Sequence, residues 1–169
     1  MFELDSSQIE DYRNDKPEYY RQLALQLEAL LGQDTNAMTN MAQTSAFIFQ
    51  MIPDLNWAGF YVTNPDKAEH LILGPYQGKV ACVHIPFGRG VCGAAATTRE
   101  TQLVKNVHEF EGHIACDAVS QSEVVVPLIV NGAVKGVLDI DSPMVDRFDN
   151  DDAAGFERLA QVFLEQSDV

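Results

Sequence analysis

Residues 123–141 read EVVVPLIVNGAVKGVLDID, and this stretch decides the fold. Two aliphatic, β-branched runs, 123–130 and 133–139, flank Asn131-Gly132. Asn-Gly is the strongest short hairpin signal, because both residues tolerate the positive φ of a tight primed turn. Upstream, NWAGFYVT (56–63), HLILGPYQ (70–77) and KVACVHIP (79–86) are further short runs rich in β-branched and aromatic residues. Asn-Pro-Asp and Gln-Gly turn signals separate them, so they read as strands. TQLVK (101–105) adds another. Between these strands, Gly88-Arg89-Gly90 leads into VCGAAATTRE, a helix of small residues that begins near Val91 or Cys92.

Outside the sheet the period changes to that of helices. Pro17 opens PEYYRQLALQLEALLG, with Leu23, Leu27, Leu30 and Leu31 at helical spacing and Gly32 at the stop. Asp34 or Thr35 is expected to cap a second helix running to 52, and Asp149 or Asn150 a last one to 166. That last helix places Phe156, Leu159, Ala160 and Phe163 on one side. Helices that bracket hairpin-connected strands define an α+β class: an antiparallel sheet with helices packed on it. Residues 1–16 have a weak pattern and receive no role.

The chain has 169 residues, and its 11 Lys+Arg against 25 Asp+Glu leave a net charge of −14. That balance excludes a phosphate-binding footprint for nucleic acid and docking on anionic lipid. The N-terminus lacks a basic region followed by an apolar one, and no apolar run reaches membrane-span length. A cytoplasmic protein is expected, where thiols stay reduced.

Three cysteines, Cys82, Cys92 and Cys116, fit no zinc-finger or Cys-x-x-Cys spacing. Each could be a buried small hydrophobe. Cys92 sits where a helix begins, and the positive helix end and nearby Arg89 would favour its thiolate. Cys82 falls in the alternating run KVACVHI, and Cys116 in a long polar stretch, 106–121, of the kind that carries reactive groups. Residue type and pattern do not rank Cys92 against Cys116.

A second constellation is acidic. Counting back from the turn, Val130 faces Ala133, which puts Glu123 near Ile140, so that one face could gather Glu123 with Asp139 or Asp141. Clustered carboxylates raise one another's pKa and keep a proton available for general acid work. They read equally as solvated surface in a chain carrying 25 acids. In the strand NWAGFY, Trp57, Gly59 and Tyr61 share parity, so two aromatic rings flank a notch at Gly59. Such a wall suits a small ligand or simply a core.

NWAGFY, GPYQGKVACVHIPFGRGVCGAAA, ACDAVSQSEVVVPL and NGAVKGVLDIDSP together resemble the GAF-domain free methionine-(R)-sulfoxide reductases. The resemblance runs from about residue 19 to 163. The glycine-rich turn and the VPL and VLDIDS strands are general GAF features, whereas the three embedded cysteines are specific. It implies one GAF domain over 1–169, with N-terminal helices at 17–52, sheet and site at 55–141 and a C-terminal helix at 149–166. The sheet would have about six antiparallel strands. It further implies reduction of free L-methionine (R)-sulfoxide, with no organic cofactor and no metal, recycling by thioredoxin, and a homodimer.

By motif, Cys116 matches the attacking thiol, Cys82 a resolving cysteine and Cys92 the third, with the resolver left open between the last two. Glu123, Asp139 and Asp141 match residues that bind and polarise the sulfoxide and hold the amino acid, and Trp57 and Tyr61 match the wall around the methyl group. The alternative is a GAF small-ligand or redox sensor without turnover. Against a signalling module, the chain stops soon after its last helix, so no output domain is expected.

Overall fold

The computed structural model describes residues 2–112, 114 and 118–169. Six strands form one antiparallel sheet: β1 (Trp57–Thr63), β2 (His70–Gly78), β3 (His84–Pro86), β4 (Gln102–Val104), β5 (Ser122–Val130) and β6 (Ala133–Ser142). Their spatial order is β3-β2-β1-β6-β5-β4. Among the described residues, five α-helices complete the α+β architecture: α1 (Ser6–Asn14), α2 (Lys16–Leu31), α3 (Ala37–Met51), α4 (Gly90–Thr98) and α5 (Asn150–Glu165). No helix among the described residues is long and apolar enough to cross a membrane.

Strand parity divides the molecule in two. Ala58 and Phe60 of β1, Val124, Val126 and Leu128 of β5, and Leu138 and Ile140 of β6 face α1, α2, α3 and α5 in the larger core. The alternate residues Trp57, Tyr61, Val125 and Val137 face α4 in a smaller cluster with Val91, Cys92, Ala95 and Ala96. Successive strand side chains point to opposite faces, so one set of strands serves both layers.

The hairpin forms where its turn chemistry demands. Asn131 (φ 50) and Gly132 (φ 78) both take positive φ, which the turn needs and which these residues adopt at least cost. Val130 pairs with Ala133 and Ile129 with Val134, but the ladder then shifts, so that Leu128 pairs with Gly136 and Lys135 bulges out. Beyond the bulge Glu123 faces Asp141, not Ile140 as the count from the turn implied. The shift matters because one residue of slip sends every side chain to the other face.

Three further expectations change. The N-terminal segment does hold structure at 6–14: α1 opens on a capping box, Asp5 accepting from the Gln8 amide while the Gln8 side chain accepts from the Asp5 amide. Asn36, not Asp34 or Thr35, caps α3; the Asp34 side chain instead accepts from the Asn36 amide. The run at 79–86 is a strand only at β3, so Cys82 lies in the segment before it.

The helical layer is pinned by the fully buried Asp152 in the first turn of α5. It accepts from Tyr12 Oη, from Tyr20 Oη at 2.9 Å and from Lys16 Nζ at 2.7 Å, and the Arg147 guanidinium stands 3.6 Å away. A buried carboxylate persists only with such compensation.

Candidate active site

Cross-strand register assembles the site on the α4 face. Trp57 pairs with Asp141 and Gly59 with Asp139 across β1 and β6, while Glu123 pairs with Asp141 across β5 and β6. Paired residues share a face and stand close, so two aromatic rings and three carboxylates converge. α4 lies over them and presents Cys92 from its first turn. A cavity of about 40 Å³ results, lined among others by Trp57, Tyr61, Cys92, Glu123, Asp139 and Asp141.

Glu123 and Asp139 are not solvated surface, and Asp141 is half-buried. Glu123 is 7% exposed and Asp139 5%. Burial, then the neighbouring Asp139 and Asp141 carboxylates, push the Glu123 pKa well above the ordinary carboxylate value. Burial also raises Asp139, while hydrogen bonds with Glu123 and Cys92 pull it down. Crowding like charges in a buried site disfavours ionising all of them, which is the direction of both shifts. Asp139 Oδ1 is buried without a hydrogen-bond partner among the described residues, as is Trp57 Nε1.

The expected thiolate at Cys92 does not hold. α4 does begin beside it, with Arg89 as N-cap, but the thiol is buried and free. Burial and then Asp139, Glu123 and Asp141 raise its pKa well above the ordinary thiol value. Desolvation and three acids outweigh a helix end, whose effect is worth only about 0.3–1 kcal/mol at most exposed sites. Its Sγ donates weakly to Glu123 Oε1 at 3.9 Å. Cys82, by contrast, is disulfide-bonded. Cys116 lies outside the described residues.

The aromatic wall is a three-ring stack. The Trp57 ring stacks on Tyr61, with centroids 5.8 Å apart, and on Tyr76, at 5.0 Å. The notch at Gly59 is filled, because Tyr76 lies opposite it on β2 and a Cβ on Gly59 would meet the Tyr76 Cβ at 2.2 Å. Tyr76 was not legible as a site residue until this pairing was known. Tyr61 Oη donates to the Cys82 carbonyl oxygen at 2.9 Å, tying the wall to the cysteine segment. Arg89, an exposed residue, also lines the cavity. Ser120 completes that side, its Oγ accepting from Asn56 Nδ2 at 3.0 Å.

Such a site suits a small molecule with a cationic group and an oxygen that needs a proton. The GAF domain family model matches residues 39–163. The chain is 47% identical to the free methionine-R-sulfoxide reductase of Escherichia coli K12 over 145 residues, covering 86% of each chain. It is 46% identical to the enzyme of the same name from Saccharomyces cerevisiae, covering 88% of this chain and 85% of that one. It also superposes on the free methionine-R-sulfoxide reductase of Neisseria meningitidis in complex with its substrate, with a TM-score of 0.86 and 38% identity over 90% of both chains.

Proposed function

The chain belongs to the GAF domain family, and on that premise we propose that it is an oxidoreductase that reduces free L-methionine (R)-sulfoxide to L-methionine. The observation that carries this reading is the convergence of Glu123, Asp139 and Asp141 beside the aromatic wall, with Glu123 and Asp139 buried, next to a cysteine segment already engaged in a disulfide.

In this reading the methyl group lies against Trp57 and Tyr61. The ammonium group is met by the acids, with Asp139 and Asp141 its natural partners, and Arg89 supplies a cation for the α-carboxylate. A site closed around both ends of a free amino acid leaves a peptide-bound substrate with unpaired buried groups, which discriminates strongly.

The Cys116 thiolate attacks the sulfoxide sulfur while Glu123, or Asp141 beside it, protonates the oxygen. The oxygen passes to the Cys116 sulfur, methionine leaves, and Cys116 becomes a sulfenic acid. A second thiol then displaces that oxygen as water and closes a disulfide. Cys82 is the resolver: Cys82 is the described cysteine found in a disulfide, and Cys92 stays free, buried and protonated. Thioredoxin then reopens the disulfide by exchange, in the cytoplasm, on a homodimer of one-domain subunits. The reaction calls on no organic cofactor or metal.

The test is turnover with free methionine (R)-sulfoxide and a thioredoxin system. Cys116→Ser is expected to abolish methionine release and Cys82→Ser to allow a single turnover; Cys116→Ser turning over near the wild-type rate overturns the assignment.

A further inference from the structure

We propose that Cys92, Glu123 and Asp139 form a site for a borderline-soft divalent cation, Zn²⁺, whose occupancy shuts the cavity to substrate. The Sγ of Cys92 and one carboxylate oxygen each of Glu123 and Asp139 lie within 4.8 Å of one another, and all three residues are buried. They come from three elements, α4, β5 and β6, that the two cores hold rigidly in place.

The donor set argues for the ion. Zinc binds thiolate at about 2.3 Å and carboxylate at about 2.0–2.2 Å in tetrahedral geometry, which spaces donors about 3.5 Å apart. Cys92 Sγ and Glu123 Oε1 already stand 3.9 Å apart, so closing the triad requires movements of about an ångström or less. One thiolate with two carboxylates selects zinc over magnesium or calcium, which take oxygen donors alone.

A second observation is independent of the cluster itself. Asp139 Oδ1 is buried and has no hydrogen-bond partner among the described residues, although Asp139 lines the cavity. A buried acceptor without a partner costs free energy that a bound cation recovers. Three protein donors leave a fourth tetrahedral position, where zinc would hold water.

Binding replaces protons with metal. Zinc takes Cys92 as thiolate and Glu123 as carboxylate, so the protons on those groups leave to solvent, and no electron moves. Inhibition, unlike binding, rests on the reductase reading, and the two are measured separately.

The experiment uses the full-length protein in its disulfide form, verified to hold one titratable thiol, so that Cys92 is the sole cysteine able to ligate. Calorimetry with Zn²⁺ in buffers of different ionisation enthalpy is expected to give one site and release of about one to two protons per ion. Co²⁺ in place of Zn²⁺ is expected to give a thiolate-to-cobalt charge-transfer band, and free methionine is expected to diminish it. Cys92→Ser should remove the band and weaken zinc binding by more than about tenfold, the loss that even an outer-shell change brings.

Binding without proton release, or cobalt binding without the charge-transfer band, assigns the ion to surface carboxylates and overturns the proposal. So does the absence of binding. The cobalt band is read on the wild-type chain, so the test survives a Cys92→Ser variant that fails to fold. Binding as described, with no methionine sulfoxide turnover in the metal-free enzyme, would instead refute the reductase reading and leave the site standing.

Discussion

Glu123→Gln should make the protein more stable and less active at the same time. A carboxyl whose folded pKa is raised adds nothing unfavourable below its unfolded value. Above it, the unfolded chain gains by losing a proton that the folded chain retains, so stability falls as pH rises through the folded value. For Glu123 the ordinary value is 4.5, and the folded group stays protonated toward neutrality because burial, Asp139 and Asp141 oppose its charge. Cys92 and Tyr61, which also face it, are neutral at that pH, and Arg89 is the cationic residue of the cavity lining.

Each pH unit above the ordinary value through which the folded group keeps its proton costs about 1.4 kcal/mol relative to the unfolded chain. Glutamine keeps the shape and a donor toward Asp139 without that cost. For a chain of this size 1 kcal/mol shifts Tm by about 2–4 °C. Calorimetric scans should therefore place the variant above wild type at pH 7, by about 3–6 °C for each such pH unit, with the gap closing toward zero below pH 4.5. Loss of the proton donor should lower kcat by about 10²–10⁴. A gap equal at pH 4 and pH 7 would refute the claim that Glu123 is protonated in the folded protein. Near-wild-type kcat would refute its role as acid.

Two further perturbations probe the other links. Tyr61→Phe keeps the ring against Trp57 but releases the Cys82 carbonyl; methionine release in the first turnover should persist while steady-state recycling slows, and equal slowing of both phases would contradict the assignment. Asp152→Ala strands Lys16 and Arg147 without their buried partner; a loss of about 3–5 kcal/mol should lower Tm by about 10 °C, with kcat kept below the transition, and an unchanged Tm would show that the ions find other partners.

Much of the fold was legible because the signals were local. Asn131-Gly132, Pro17, Gly32 and the cap at Asp149 each act within a few residues, and each marks a real boundary. What escaped depended on distant partners. Lys135 carries no mark of a bulge, yet its displacement sets Glu123 opposite Asp141. The alternation at 79–83 resembles a strand, but β2 pairs with β3 only over His70–Ile72. α1 escaped because its buried residue, Tyr12, answers to Asp152, 140 residues away. At the site, the sequence pointed to Cys92 at a helix start and to three acids; that those acids press on the thiol and keep it protonated follows from burial, which no local pattern records.

The displaced Lys135 gives the hairpin two reading frames. Its tip obeys one parity and its base the other, and the chain switches between them at a single residue. An insertion or graft between Val130 and Ala133 therefore lengthens the tip's frame alone, because the base is indexed from Leu128 and Gly136 outward. The same change made on the base side of Lys135 would exchange acids for core residues along the strand. The hairpin tip is thus the port through which this protein can accept a tag, a label or a second domain without moving a carboxylate.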